Sequence, residues 1–183
     1  SWVPIGDTEA NYFAGVFDGQ MYTISGVYMK RPATFTSYQG GHGLFGKIGY
    51  YGRVKNFYLM DSYFEVNDPN GASNNPWTNA NLGSVVGNNG GQIETVYSNA
   101  MVVSNRYQVG GIVGFSGGTG IRNCWFDGDI FLDTAHGRTG GGIIGHAGNA
   151  ETFENLLFTG SMTYTNGYYD ASSIGGIMGA TYN

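Results

Sequence analysis

The sequence predicts an all-β chain wound as a parallel β-helix of about five to six coils, with three short strands in each coil. Three observations carry that expectation. A glycine-bounded apolar phrase recurs along the whole chain: "GLFG" at 43–46, "GSVVG" at 83–87, "GGIVG" at 110–114, "GGIIG" at 141–145 and "GGIMG" at 175–179. Each of the first four is soon followed by a second phrase in a common frame: "VKNFYL", "IETVYS", "IRNCWF" and "FENLLF". Finally, no stretch sustains apolar residues at the i, i+3, i+4 spacing of a helix. Glycine recurs too often for helix interiors, and β-branched and aromatic residues fill the phrases.

The elements follow in order. "ISGVYM" (Ile24–Met29) opens the array in the frame of the second phrase. A third phrase closes each unit: "SYFEV", "MVVS", "DIFL" and "SMTY". Loops of uneven length then lead to the next glycine phrase. The longest is the 67–80 excursion, which carries Trp77. Glycine, Asn, Asp and Ser bound these short apolar runs, as strand ends require. In the glycine phrase itself, the apolar pair is expected to span one wall, one side chain in and one out. The flanking glycines would turn the corners.

Aligned as a stack, the second phrases resolve into rows. Ile24, Val54, Ile93, Ile121 and Phe153 form an inward apolar row. Ser25, Lys55, Glu94, Arg122 and Glu154 point outward. Gly26, Asn56, Thr95, Asn123 and Asn155 mark a bend, where stacked amides can satisfy backbone groups left open by the turn. Val27, Phe57, Val96, Cys124 and Leu156 face in again, which makes Cys124 a small buried hydrophobe. Met29, Leu59, Ser98, Phe126 and Phe158 do the same. Between these last two rows lie Tyr28, Tyr58, Tyr97, Trp125 and Leu157, which strand alternation sends outward. The body is thus expected to have a dry core and one aromatic stripe on its outer wall.

Composition bounds the function. Glycine supplies 33 of 183 residues and charged residues only 11%, against ~7% and ~25% in ordinary domains. Aromatics reach 15%, which argues for a folded chain rather than a disordered one. An uncharged polar surface of this kind is common on secreted or surface-attached bacterial proteins. The net charge is −5 and no Lys/Arg stripe is present, so nucleic acid is not an expected partner. No apolar run is long enough to enter and span a bilayer as a helix. The single cysteine cannot form an internal disulfide, and no Cys/His spacing suggests zinc. No cofactor is expected.

The glycine phrases, each followed by a strand such as "IRN", resemble the GLUG-motif repeats of bacterial extracellular proteins. The opening "WVPIG…FAGVFDGQMYTISGVYM" is similar to the segment that leads into such arrays. The likeness covers nearly the whole chain. It implies a right-handed β-helix of the pectin-lyase-like kind, residues 1–183 forming one repeat domain of a secreted or cell-surface protein. Such repeats occur in adhesin-like proteins and beside peptidase or glycan-processing domains. The resemblance supplies no catalytic residues. A stack that stops after "GGIMG" would expose strand edges, so further repeats of the chain are expected at both ends.

Two functional classes stay open. The first is a non-catalytic stalk, adhesin or scaffold that binds a glycan or host-surface partner through Tyr28, Tyr58, Tyr97 and Trp125. Stacked rungs at ~4.8 Å would present a continuous flat platform to sugar rings. The alternative for the stripe is a purely structural one: rings that stack on each other or lie under the 67–80 loop. The second class is a glycan-active enzyme, a polysaccharide lyase or glycoside hydrolase. Its candidate acids are Asp127 and Asp129, with Asp133, His136, Asp61 and Glu65 nearby. Those acids read equally as solvated turn residues or as a calcium site. Arg53 and Arg122, the candidate bases of a lyase, share no row with the candidate acids Asp127 and Asp129. Asp18 in "FDGQ" reads as a turn residue. "GFSGGTG" lacks the Lys-Ser/Thr of a phosphate loop. His42, His136 and His146 lie near the glycine corners, where His136 and His146 flank one strand that a metal could bridge.

Overall fold

The computed structural model describes residues 1–32, 41–67, 81–105, 108–133, 139–148, 151–165 and 173–181. Among them every element is a β-strand. The first coil holds β1 (Val16–Ser25) and β2 (Tyr28–Pro32). The second holds β3 (Phe45–Ile48), β4 (Arg53–Met60) and β5 (Tyr63–Asn67). The third runs β6 (Asn81–Gly83), β7 (Val86–Asn89), β8 (Gln92–Ser98) and β9 (Met101–Ser104). The fourth runs β10 (Gln108–Gly110), β11 (Val113–Ser116), β12 (Gly120–Phe126) and β13 (Asp129–Asp133). The fifth runs β14 (Thr139–Gly141), β15 (Ile144–Ala147), β16 (Phe153–Phe158) and β17 (Ser161–Thr165). Then β18 (Ser173–Gly175) and β19 (Met178–Thr181) begin a sixth.

Like positions stack on like positions. The sheets run β1-β4-β8-β12-β16, β2-β5-β9-β13-β17, β3-β7-β11-β15-β19 and β6-β10-β14-β18. Their ladders are parallel throughout, for example Val54↔Ile93 and Ile93↔Ile121. The chain is therefore a parallel β-helix. The two shortest sheets are halves of one expected wall, because the glycine phrase bends rather than crossing it straight. In "GGIVG", β10 ends at Gly110 and β11 begins at Val113. Ile112 and Val113 are both fully buried, as are Ile143 and Ile144. This corrects the expectation of one side chain in and one out: the bend lies between the two residues, so both point to the core. The glycines here answer close approach, not a left-handed backbone. A Cβ on Gly114 would stand 2.5 Å from the Leu82 amide nitrogen, and one on Gly110 would collide with the Val113 carbonyl oxygen.

The bend row is where the sequence placed it. Asn56, Thr95, Asn123 and Asn155 have φ of 59°, 54°, 54° and 52°. Left-handed backbone costs L-residues roughly 1–2 kcal/mol, and Asn bears it best because its side chain can bond locally. The amides do stack: Asn155 Nδ2 donates to Asn123 Oδ1 at 2.9 Å, and Asn56 Nδ2 donates to Asp18 Oδ1 at 3.0 Å. Apolar rows on either side fill the interior with Val54, Ile93 and Ile121, then Phe57, Val96 and Cys124, then Leu59 and Phe126. Ser98, the polar member of the last row, is buried but satisfied by the Ser84 hydroxyl at 2.9 Å. Cys124 is buried as expected. Burial pushes its thiol up to about 12, so it is inert as a nucleophile at neutral pH.

The first coil departs from the expected frame. Phe17, not Ile24, pairs with Val54, and Ile24 pairs with Leu59. A register shift lies between Asp18 and Tyr22, where Gln20 and Met21 take φ of 51° and 62°. This bulge inserts residues into β1 and delays the phase of everything after it. Asp18 is a turn residue here: its carboxylate accepts from the Gln20 amide at 3.0 Å. Asn56 first, then that amide, and to a lesser degree Lys55, hold it below the usual carboxylate range.

The two ends of the stack differ. Residues ahead of β1 lie across the N-terminal end. Ile5 and Phe13 bridge to Phe45 and Ile48, and the Phe13 and Phe17 rings sit 5.1 and 5.5 Å from Phe45. Edge strand β2 carries Lys30, Arg31 and Pro32, and β1 carries the bulge, all devices that discourage further pairing. The last strands, β16 to β19, have Glu154 as their one charged residue. Ile174 and Ile177 are exposed there.

If the left-handed row sets the fold, Asn123→Val should lower stability by about 1–3 kcal/mol. Asn123→Gly should stay within about 1 kcal/mol of wild type. Urea unfolding followed by β-sheet circular dichroism measures both. Equal losses would show that the side-chain ladder, not the backbone angle, is what matters.

Candidate functional site

The phase set by the left-handed row decides which side chains meet solvent. After Asn56 the chain sends Phe57 in, Tyr58 out and Leu59 in. The same holds for Val96, Tyr97, Ser98 and for Cys124, Trp125, Phe126. Tyr58, Tyr97 and Trp125 are in register across β4, β8 and β12. Tyr58 is 36% and Trp125 41% exposed, so the rungs stand open to solvent. The row continues to Leu157 on β16, 49% exposed. On the other side it ends at Thr23, which the bulge brings opposite Tyr58.

Tyr28 does not belong to this stripe. It lies on β2, pairs with Tyr63 and stacks on that ring at 5.4 Å with an interplanar angle of 13°. The same bulge in β1 is the reason. This pair caps a separate polar cluster on the neighbouring wall. The Tyr63 hydroxyl donates to Glu65 Oε2 at 2.6 Å, Asn67 Nδ2 donates to Oε1 at 2.7 Å, and Lys30 stands 3.1 Å away. Burial, then the Glu65 contact, pushes the Tyr63 phenol up to about 12. Burial opposes ionisation of Glu65, but these three partners outweigh it and lower its carboxyl. Glu65 is thereby a structural acid.

The stripe is not the flat platform expected. Tyr58 and Tyr97 lie 6.1 Å apart, inclined at 56°. Tyr97 and Trp125 lie 4.8 Å apart at 72°, edge to face. With Thr23 and Met60 they line a shallow recess of about 420 Å³. Hydrogen bonds running between coils fix the tilt. Trp125 Nε1 donates to Thr159 Oγ1 at 2.6 Å, and that hydroxyl donates to Asp127 Oδ1 at 2.6 Å. Burial, then Asp127, and finally Asp61 raise the Tyr97 phenol above its ordinary value.

The candidate acids serve this scaffold. Asp127 holds the Trp125 wall of the recess through Thr159. Asp129 Oδ1 accepts from the Ser161 hydroxyl of the next coil at 2.5 Å. Neither lines the aromatic recess or a second, 300 Å³ recess on the neighbouring wall among Asn67, Val103, Asn105, Phe131, Asp133 and Thr165. No group of three or more His, Cys, Asp or Glu residues able to hold a metal is brought together among the described residues. His42 and His146 are buried, and His146 lies 5.8 Å from the Phe115 ring. His136, Trp77 and the 68–80 part of the long loop, which was expected as a cover for the stripe, lie outside the described residues.

Sequence reasoning missed Thr23, Met60 and Thr159. Thr23 is hidden by the bulge, and Met60 and Thr159 by their place past the end of the repeating phrase. It also missed Glu151, whose carboxyl burial pushes up although the Ser116 hydroxyl donates to it at 2.5 Å. Ser116 itself accepts from Asn89 Nδ2 at 2.9 Å, so the ladder spans three coils.

The chain is 38% identical over 96 residues to a protein of Evansella cellulosilytica described as a "Putative Gly-rich membrane protein". The match covers 52% of this chain and spans 9% of that relative's length. No protein-family model matches the chain, and no solved structure matches it. No helix of the described residues is long and apolar enough to cross a membrane.

Asp127→Asn removes the charge that acts on Tyr97 but keeps the side chain's shape. Because Asp127 helps raise the phenol's pKa, Tyr97 should then ionise at lower pH than in wild type. Ring-carbon NMR shifts of Tyr97 followed through the alkaline range check this. An unmoved titration would place Asp127 out of electrostatic reach of the recess.

Proposed function

We propose that this chain is a non-catalytic β-helical repeat region of a secreted or cell-surface bacterial protein, and that it presents the Tyr58–Tyr97–Trp125 recess to a glycan. The carrying observation is the recess itself: three aromatic side chains from successive coils, Tyr58 and Trp125 open to solvent with Tyr97 half-buried between them, and Trp125 fixed in tilt by hydrogen bonds between coils. Aromatic side chains that keep one polar end bonded and one face wet suit recognition surfaces. A solenoid supplies a rigid wall for such a row, which limits the ordering cost of binding.

Other observations support the setting. The glycine phrases carry the resemblance to GLUG-motif arrays of extracellular proteins. The partial match to a Gly-rich membrane protein is compatible with attachment to the cell envelope. The uncharged, pairing-competent last strands suit further coils beyond them, as in an adhesin or stalk. The acids favour the scaffold reading over a lyase or hydrolase, because Asp127 and Asp129 are each bonded to a hydroxyl of the following coil.

The test is a glycan array probed with the folded chain beside a Tyr58→Ala/Tyr97→Ala/Trp125→Ala variant that keeps its β-sheet spectrum. Wild type should bind, and the variant should lose at least tenfold in affinity, about 1.4 kcal/mol. Equal binding by both would remove the stripe from the function. Reducing ends released from a polysaccharide by wild type and not by Asp127→Ala would instead make the chain an enzyme.

A further inference from the structure

The geometry of the recess points to a ligand class. A neutral sugar ring packs best on a broad flat aromatic face, and this row offers none: its rings meet at 56° and 72°. What it offers is a corner, with one ring's edge against another's face. The negative potential of an aromatic ring lies over its face, and that is where a cation is held.

The surroundings strengthen that potential. The Trp125 indole donates through Thr159 to Asp127, and the same carboxylate lies within electrostatic reach of the Tyr97 phenol. A donor bonded toward an anion passes electron density back into its ring, so the Trp125 wall of the corner becomes a better cation acceptor. Asp61 adds a second carboxylate within electrostatic reach of Tyr97. No basic residue lines the recess. The nearest rows with positive charge lie across the left-handed Asn/Thr row. There Lys55 is paired with Asp18 at 3.3 Å, and Arg122 stands in register between Glu94 and Glu154. A uronate or phosphate entering the recess would find no counter-charge among its lining residues, with Asp127 and Asp61 close enough to act on Tyr97.

We infer that the glycan carries a free ammonium group, an amino sugar without its acetyl cap, seated in the corner between Tyr97 and Trp125. This rests on the glycan-facing reading above and narrows it. Cation–aromatic contact of this kind contributes most where water is partly excluded, as between two tilted rings. The attraction to Asp127 and Asp61 is exposed and therefore screened by salt.

The experiment is calorimetric titration of the folded chain with four probes. They are a glucosamine tetramer, its fully N-acetylated counterpart, a galacturonic acid tetramer and tetramethylammonium chloride. The glucosamine tetramer should bind at least tenfold more tightly than the acetylated one, and the uronate weakest. Raising salt from 20 to about 300 mM should shrink the preference. Asp61→Asn should shrink it without weakening the acetylated tetramer, and Asp127→Asn, which also alters the anchor of Trp125, should shrink it as well; two variants guard against one that misfolds. If the acetylated tetramer binds as tightly as the free amine, the ammonium inference falls and the glycan-facing reading stands. Binding of tetramethylammonium with no sugar on the array bound would keep an ammonium site and overturn the glycan reading. Binding of none of the probes, with an empty array, overturns both.

Discussion

Everything functional on this molecule hangs on one residue per coil held in the left-handed region. A strand that alternated strictly from Val54 would put Tyr58 inside and Phe57 in water. The left-handed Asn56 places two consecutive residues outside, Lys55 and Asn56, and so restores Phe57 to the core and Tyr58 to the surface. Thr95 and Asn123 repeat the phase change. The bend thus serves packing and exposure at once. It lets each strand wrap around a corner of the core, and it aligns three aromatic side chains on one line of the outer wall. The cost of roughly 1–2 kcal/mol per left-handed residue is met partly by amide bonds between coils. Those bonds exist only when the coils are stacked, so the bend and the stack stabilise one another.

That coupling explains what could be read from the sequence. Rows at Val54, Asn56, Phe57 and Tyr58 were legible because stacking forces equivalent positions into equivalent environments. Four strands therefore report on each row. Where the environment is not repeated, the reading failed. Tyr28 looked like a fifth member of the stripe because the bulge at Gln20 and Met21 leaves no trace in hydrophobic pattern. Ile112 and Ile143 looked like half-exposed wall residues because a bend between two apolar neighbours has the same sequence as a straight strand. The aromatic row was legible, but its shape was not. Ring tilt depends on Thr159 and Asp127, which lie past the repeating phrase and act between coils.

The ends of the stack follow the same logic of pairing. At the N-terminal side the frame is broken by irregular chain, a bulge, Pro32 and two cations, all of which work against another parallel strand. At the C-terminal side the inward rows run on through Leu156, Phe158 and Met162, part-buried against the core, and the edges keep regular backbone with almost no charge. A solenoid grows by presenting to the next coil the surface that the previous coil presented to it. Among the described residues, the C-terminal edge presents that surface.

Repetition and specificity pull in opposite directions in a solenoid, and this chain separates them by row. The inward rows stay apolar apart from Ser98, which Ser84 satisfies, since a misfit there would be felt by the coils above and below. The outward row beside them is free to change, and it does: Thr23, Tyr58, Tyr97, Trp125, Leu157. The recess is therefore confined to the middle of the stack, where each aromatic ring has a neighbour on both sides to tilt against. At its ends, Thr23 lacks a ring and Leu157 lacks a polar handle. A local site arises on a periodic scaffold because hydrogen bonds between coils, from Trp125 to Thr159 to Asp127, reach an aromatic ring of the outward row there.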